Sequence, residues 1–251
     1  MSIVNGLVLD HFYFGLKEKE FQDLKIIFAS LNGVEHSVVK SGEDSWEGIY
    51  VYTRIGSYIE FSRERNLENF SLAVSATQAH LFNPTSIRDE YPHLPWKLLH
   101  RISEKEAPWF DALWLPYEKN EKEKRFYPWL MHYYPRHFIF ENKARPRLID
   151  STCRVEIACH PSMIELIQAQ EFWLPGRFSL NHDNKTGTLF IRDRDATELE
   201  FSLIFDESVP GFQLRNMQLW LAREQTMKNV KNDSWEVTIL NGILKLTLNS
   251  N

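Results

Sequence analysis

The chain has 251 residues, 43% hydrophobic and 25% charged, with 29 basic against 34 acidic side chains and a formal charge of −5. That make-up predicts a globular protein with its own core, and the acidic balance speaks against a nucleic-acid binder, whose surface carries a basic excess. Two cysteines, Cys153 and Cys159, are too few for a disulfide framework and lack metal-knuckle spacing. No apolar run reaches the roughly 20 residues of a membrane span, and Met1 to Gly6 has no basic signal-peptide start, so a soluble, cytoplasmic chain is expected.

The first 65 residues read as one unit. Leu7–Leu16 is rich in β-branched and aromatic residues, which suits a strand. Over Lys17–Leu31 the apolar residues Phe21, Leu24, Ile27, Phe28 and Leu31 recur at helical spacing. Asn32-Gly33 then ends the helix. Strands are predicted at Val34–Lys40, Trp46–Thr53 and Ser57–Arg63, separated by turn residues at Ser41–Asp44 and Ile55-Gly56. The order is β-α-β-β-β.

Looser copies follow. Eight of the eleven prolines fall between Pro84 and Pro146, which marks the middle of the chain as irregular. Within it Phe70–Ala76 reads as a strand and Thr85–Ile102 as a helix broken at Pro92 and Pro95. Trp109–Tyr117 and Trp129–Tyr134 read as strands, and the charge run Glu118 to Arg125 as an exposed loop or solvated helical turn. A third set comprises a strand at Ser151–Cys159, a helix at Ser162–Trp173 and strands at Arg177–His182, Thr188–Arg192 and Glu198–Phe205. Its tripeptide Glu200-Phe201-Ser202 repeats Glu60-Phe61-Ser62. Two tail strands, Asn216–Ala222 and Trp235–Leu248 with a break at Asn241-Gly242, close the chain. The fold class expected is α+β: repeated β-α-β-β-β units in curved, mostly antiparallel sheets with helices outside. Paired units occupy 1–140, and a third unit with the tail strands occupies 141–251.

Strand residues alternate between faces, so the first unit's sheet can be divided. Phe12, Phe14, Ile49, Val51, Ile59 and Phe61 form one apolar set. The opposite set is His11, Tyr13, Tyr50, Tyr52, Tyr58 and Glu60. If the apolar set packs under the helix, the second is either a wet, concave ligand surface or a half-solvated face on which tyrosines pack over one another. A dense run of aromatics, Trp96, Trp109, Phe110, Trp114, Phe126, Tyr127 and Trp129, suits core packing or a lid over an apolar ligand.

A unit that opens with Leu9-Asp10-His11-Phe12-Tyr13 and closes with Tyr58-Ile59-Glu60-Phe61 resembles the vicinal oxygen chelate superfamily. That superfamily includes glyoxalase I, the extradiol dioxygenases and the bleomycin-resistance proteins. The wording is most similar to a glyoxalase-like group of uncharacterised bacterial proteins. The resemblance implies paired units forming a half-open barrel, with a divalent metal held by a first-strand histidine and a fourth-strand glutamate. These would be His11 and Glu60. Writing Trp129-Leu130-Met131-His132 beneath Ser57-Tyr58-Ile59-Glu60 puts His132 at the glutamate position, as a third ligand. The second unit's first strand, Phe70-Ser71-Leu72-Ala73-Val74, has no histidine. A His/Glu/His set suits Zn²⁺, Fe²⁺, Mn²⁺ or Ni²⁺.

The function expected from the resemblance is a metal-dependent enzyme of lyase, isomerase or dioxygenase type, acting on a small carbonyl or vicinal-oxygen compound. Glu60 would move protons, and Tyr13, Tyr50, Tyr52 and Tyr58 would line the cleft. The alternative is a metal-free protein that binds or sequesters an aromatic or apolar molecule. A homodimer is implied by the resemblance only. His160 reads as a local helix cap or a simply exposed side chain. Glu200 lacks a histidine partner, since Val155 stands where one is needed. His80, His93, His100 and His137 carry no constellation. Neither a Gly-x-Ser-x-Gly elbow nor a phosphate-cradling glycine loop is present.

Overall fold

A computed structural model describes residues 6–54, 56–63, 69–76, 85–103, 107–115, 126, 128–134, 148–195, 197–222 and 229–249. The first unit comprises β1 (Leu7–Leu16), α1 (Glu18–Phe28), β2 (Val34–Ser41), β3 (Asp44–Tyr52) and β4 (Tyr58–Arg63). The second has β5 (Asn69–Ala76), α2 (Thr85–Glu90), β6 (Lys97–Ile102), β7 (Pro108–Trp114) and β8 (Trp129–Tyr133). These eight strands make one sheet of order β2-β3-β4-β1-β5-β8-β7-β6. β1 runs parallel to β4 and antiparallel to β5, which in turn runs parallel to β8. The two units thus meet at β1 and β5, as the two halves of a half-open barrel do.

The segment read as one broken helix over Thr85–Ile102 divides instead. Its first turns form α2, and the residues after Pro95 form β6, paired with β7 from Lys97↔Trp114 to Ile102↔Pro108. Pro92 and Pro95 stop the helix because each lacks an amide donor. The following Leu98 and Leu99 then bury more area on a sheet than they could on a short exposed helix. The charge run at Glu118 to Arg125, Tyr127 and the histidines His80 and His137 lie outside the described residues.

The second sheet repeats the pattern. β9 (Ile149–Cys159), α3 (Met163–Gln170), β10 (Gly176–Leu180), β11 (Thr186–Arg192) and β12 (Glu198–Phe205) are followed by β13 (Phe212–Leu221), β14 (Val230–Lys231), β15 (Trp235–Leu240) and β16 (Ile243–Leu248). Their order, β10-β11-β12-β9-β13-β16-β15-β14, is that of the first sheet strand for strand. The tail therefore holds four strands rather than two. Asn241 and Gly242, with φ of 52° and 75°, turn β15 into β16, the positive-φ pair that a tight hairpin requires. Among the described residues no helix is long and apolar enough to cross a membrane.

One core joins the two sheets. α1 buries Phe21, Leu24, Ile27 and Phe28 against the apolar face of the first sheet, where Phe28 meets Phe61 edge-on at 5.9 Å. The same face receives the second sheet through Phe201, whose ring lies 5.2 Å from both Phe12 and Phe70. Phe212 adds a contact at 5.6 Å from Phe70. Along the opposite flank of α1, the Trp235 indole N–H donates to the Glu20 carbonyl at 2.8 Å, and Ser234 donates to the Asp23 carboxylate at 2.5 Å.

The segment after β11 fastens the sheets with polar groups. The Arg192 guanidinium donates to the Leu7 carbonyl at 2.6 and 3.2 Å, and Ser57 Oγ donates to Asp193 at 3.3 Å. Arg194 reaches Asp10 on β1 at 2.6 Å. Burial pushes the Asp193 carboxyl from the ordinary 3.8 up to about 6, against the Arg194 amide and the Ser57 hydroxyl, which favour its charged form.

Two measurements follow from this junction. Phe201→Ala removes a ring wedged between Phe12 and Phe70 and should cost about 3–5 kcal/mol in urea unfolding. Because the folded chain keeps a proton on Asp193 after the unfolded chain has released it, stability falls as pH rises from about 4 to 6 and stays lower above that window. Asp193→Asn should therefore stabilise the protein by about 2–3 kcal/mol at pH 8 and by little near pH 4. An equal effect at both pH values would remove this account of the junction.

Candidate functional site

The concave face of the first sheet encloses a cavity of about 720 Å³. Strand alternation determines its lining. His11 and Tyr13 come from β1, Tyr50 and Tyr52 from β3, and Tyr58 and Glu60 from β4. These are the six residues that face parity had put together. The far wall comes from the second unit, with Leu99 and Arg101 on β6, Phe110, Ala112 and Trp114 on β7, and Trp129, Met131 and Tyr133 on β8.

The wall is fixed by a buried polar cluster beneath it. The β1/β5 register shifts between Leu9 and His11, which leaves Asp10 at an irregularity in the strand. Asp10 is 2% exposed, and its carboxylate meets four groups. His11 Nδ1 lies 2.8 Å from Oδ1, and Tyr133 donates to the same oxygen at 3.0 Å. Ser75 and Arg194 donate to Oδ2 at 3.1 and 2.6 Å. Burial alone would raise this carboxyl. The His11 hydrogen bond, the Arg194 charge and the Tyr133 hydroxyl together outweigh it and hold the group at about 2.

His11 is in turn pressed flat against Tyr58, ring centroids 4.3 Å apart and 14° between planes, with the Trp129 edge at 5.8 Å. Tyr58 is flanked by Tyr52 at 5.5 Å and Tyr50 at 6.0 Å. Along β3 a hydrogen-bond chain runs from the Trp46 indole N–H to the Tyr50 hydroxyl at 3.1 Å, and from that hydroxyl to Glu60 at 3.2 Å. Burial, followed by the adjacent Glu60 carboxylate, pushes the Tyr50 phenol far above its ordinary value, so it stays protonated and donates. Gly48 makes the chain possible, because a Cβ there would lie 2.7 Å from the Tyr50 ring and hydroxyl.

One rim is closed by contacts between the units. Arg101 pairs with Asp44 and lies 5.7 Å from the Trp46 ring. The Ile102 amide donates to Ser41 Oγ at 3.3 Å, and Trp46 stacks on Trp109 at 6.2 Å. The aromatic run of the middle segment thus divides its duties. Trp109, Phe110, Trp114 and Trp129 line the cavity, Phe126 lies in the core, and Trp96 packs on Trp173 at 5.8 Å.

His132 does not join His11 and Glu60. In the register of the first unit His11 faces Tyr58 and Tyr13 faces Glu60. In the second unit Ala73 faces Trp129 and Val74 faces Leu130. The counterpart of Tyr58 is therefore Trp129, that of His11 is Ala73, and that of Glu60 is Met131. The sequence alignment that selected His132 is one residue out, and a one-residue slip moves a side chain to the opposite face. His132 is half-buried on that other face, beside Tyr134 at 5.4 Å and opposite Asp111, with its Nδ1 unpartnered. Among the described residues no three His, Cys, Asp or Glu side chains cluster in a way that could hold a metal ion. His11 and Glu60 remain as possible donors, with Nδ1 of His11 already turned to Asp10. Two donors opposite an alanine and a methionine do not fit the three-ligand centre that open-site metal catalysis uses.

Elsewhere, His160 Nδ1 accepts the amide of Ser162, the residue that precedes α3, at 3.2 Å. Glu200 accepts from Ser202 at 3.1 Å, on the sheet remote from the cavity. His100 pairs with Asp111 at 2.6 Å.

No protein-family model matches the chain, and no curated protein matches it. Among solved structures, a hypothetical protein from Staphylococcus aureus is similar over 95% of this chain and 97% of that one, at 9% identity and a TM-score of 0.55. The 2,2',3-trihydroxybiphenyl 1,2-dioxygenase of Sphingomonas wittichii strain RW1 is aligned over 86% of this chain and 74% of its own, at 10% identity and a TM-score of 0.45. The Mn(II)-bound glyoxalase of Novosphingobium aromaticivorans is aligned over 81% and 84%, at 9% identity and a TM-score of 0.35. Likeness at these identities concerns the fold alone. The fold is vicinal-oxygen-chelate-like, as the paired units, their central β1/β5 seam and the half-barrel cavity show.

Gly48→Ala should displace the Tyr50 phenol and break its hydrogen bond to Glu60 while leaving the fold intact. The expected readout is a fall in the Tyr50 hydroxyl's pH resistance by ultraviolet titration, with an unchanged far-ultraviolet circular dichroism spectrum. An unaltered tyrosine titration would mean that the phenol does not depend on Gly48.

Proposed function

We propose that the protein binds an aromatic or apolar small molecule in the half-barrel cavity, without using a metal held by its own side chains. The observation that carries this reading is the exchange of donors for apolar groups at the second unit's counterpart positions, Ala73 for His11 and Met131 for Glu60. The volume of about 720 Å³ is that of a small-molecule pocket. Its wall of tryptophans and tyrosines offers ring faces for stacking, and the hydrogen bonds that hold His11, Tyr50, Glu60 and Tyr133 would orient a guest. The lyase, isomerase or dioxygenase chemistry implied by the family resemblance would have to rest on His11 and Glu60 alone. Such a pair would leave a divalent Zn, Fe, Mn or Ni ion mostly solvated and weakly held.

Two experiments test the reading. Protein equilibrated with Zn²⁺ or Mn²⁺ and then dialysed should retain well under one equivalent by plasma mass spectrometry. A stoichiometric ion lost in His11→Ala would restore the metal-dependent reading. Fused-ring aromatic probes such as naphthalene should quench the cavity tryptophans equally with and without a chelator. Trp129→Ala should weaken them by about ten-fold, equivalent to ~1.4 kcal/mol. Binding that requires added metal would overturn the proposal.

A further inference from the structure

We infer that the guest of this cavity carries a hydrogen-bond donor, an N–H or O–H on its ring system, and gives it to Nε2 of His11. The inference rests on the binding reading above and adds to it the polar group of the guest. It starts from Asp10. Burial pushes that carboxyl up, but the His11 hydrogen bond and the Arg194 charge pull it further down, to about 2, so it is ionised near neutral pH. An ionised carboxylate accepts and cannot donate. The 2.8 Å contact between Asp10 Oδ1 and His11 Nδ1 is therefore an Nδ1–H donating to the carboxylate. A neutral imidazole has one N–H, and with that proton on Nδ1 the lone pair lies on Nε2.

The surroundings hold the ring in that orientation. Turned over, it would set a C–H against the carboxylate in place of the N–H. Tyr58 covers one of its faces at 4.3 Å, and Trp129 abuts it at 5.8 Å. Nε2 has no hydrogen-bond partner among the described residues, yet it is not sealed off, because His11 lines the cavity and that surface is left to this nitrogen. Three kinds of guest can be compared there. A group that is apolar at this point would strip water from the lone pair and return no proton for it. A carbonyl or carboxylate would set lone pair against lone pair. An N–H or O–H restores the bond, while the surrounding tyrosine and tryptophan faces hold the ring that bears it.

The test uses 2-naphthol and 2-methoxynaphthalene, which share a ring system and differ in the O–H, on the intact chain at about pH 8, where an ordinary imidazole is neutral. By calorimetry 2-naphthol should bind about five- to ten-fold more tightly. His11→Phe, which keeps a ring against Tyr58 and removes the nitrogen, should bring the two probes to within about two-fold of each other. Nitrogen NMR of the histidine-labelled parent protein gives a second readout that needs no variant. It should show the His11 proton on Nδ1, and the Nε2 resonance should move on adding 2-naphthol but not 2-methoxynaphthalene. A proton found on Nε2 in the free protein would overturn the inference. So would equal affinities in the parent protein, or a full preference retained by a folded His11→Phe variant. Each of these three results leaves the binding reading standing, whereas failure of both probes to bind would overturn both.

Discussion

The Asp10 carboxylate is the point on which the rest of the site depends. It is buried, yet it is satisfied from four directions: by the adjacent His11, by Ser75 and Tyr133 of the second unit, and by Arg194 of the second sheet. A buried charge is tolerated only where partners of this kind surround it. Each partner is also a constraint. The carboxylate fixes the His11 ring under Tyr58, ties β8 to β1 across the seam between units, and anchors the arginine segment that follows β11. One charged group thus sets ring orientation, unit pairing and sheet docking together.

From that point outward, the two halves of the cavity differ in the groups they carry. The first unit presents a histidine and a carboxylate to the cavity, whereas at the equivalent positions the second has Ala73, buried beneath the wall, and Met131, whose thioether lines it. The apolar patch that Ala73, Ala112, Met131 and Tyr133 form there is continuous with the ring wall. Of the polar groups on the first unit's side, His11 is held by Asp10 and Glu60 by Tyr50. Preorganised walls of this type lower the ordering cost of binding, since few side chains must be frozen when a guest arrives.

Much of this was legible in the sequence where the signal was periodic. The alternation Phe12/Phe14 against His11/Tyr13, and its equivalents on β3 and β4, separated core from cavity correctly because one face of that sheet is dry and the other is not. The signal failed where two registers fitted equally well. Trp129-Leu130-Met131-His132-Tyr133-Tyr134 carries large residues on both faces, so nothing local distinguishes the frame that presents His132 from the one that presents Met131. Only the pairing of Ala73 with Trp129 decides it. The reading of Lys97–Ile102 as helix failed for a related reason, since Leu98 and Leu99 are adjacent and favour neither period. In the tail the break at Asn241-Gly242 was legible as a turn dipeptide, whereas β14, only two residues long, carries no periodic signal. Arg194 left no trace at all. It is one surface-type residue in a turn, and its role arises from a contact 184 positions away.

The clasp between Arg194 and Asp10 also bears on how the chain can be divided. The first sheet, taken alone, has every strand needed to enclose the cavity, so it looks separable from the second. Without Arg194, however, its central strand would hold a carboxylate deprived of that guanidinium, and Phe12 and Phe70 would lose the cover of Phe201. The price would fall on the strand that carries His11. Recombination or truncation at the boundary between the sheets would therefore yield a piece with the outline of a pocket but not its settled interior.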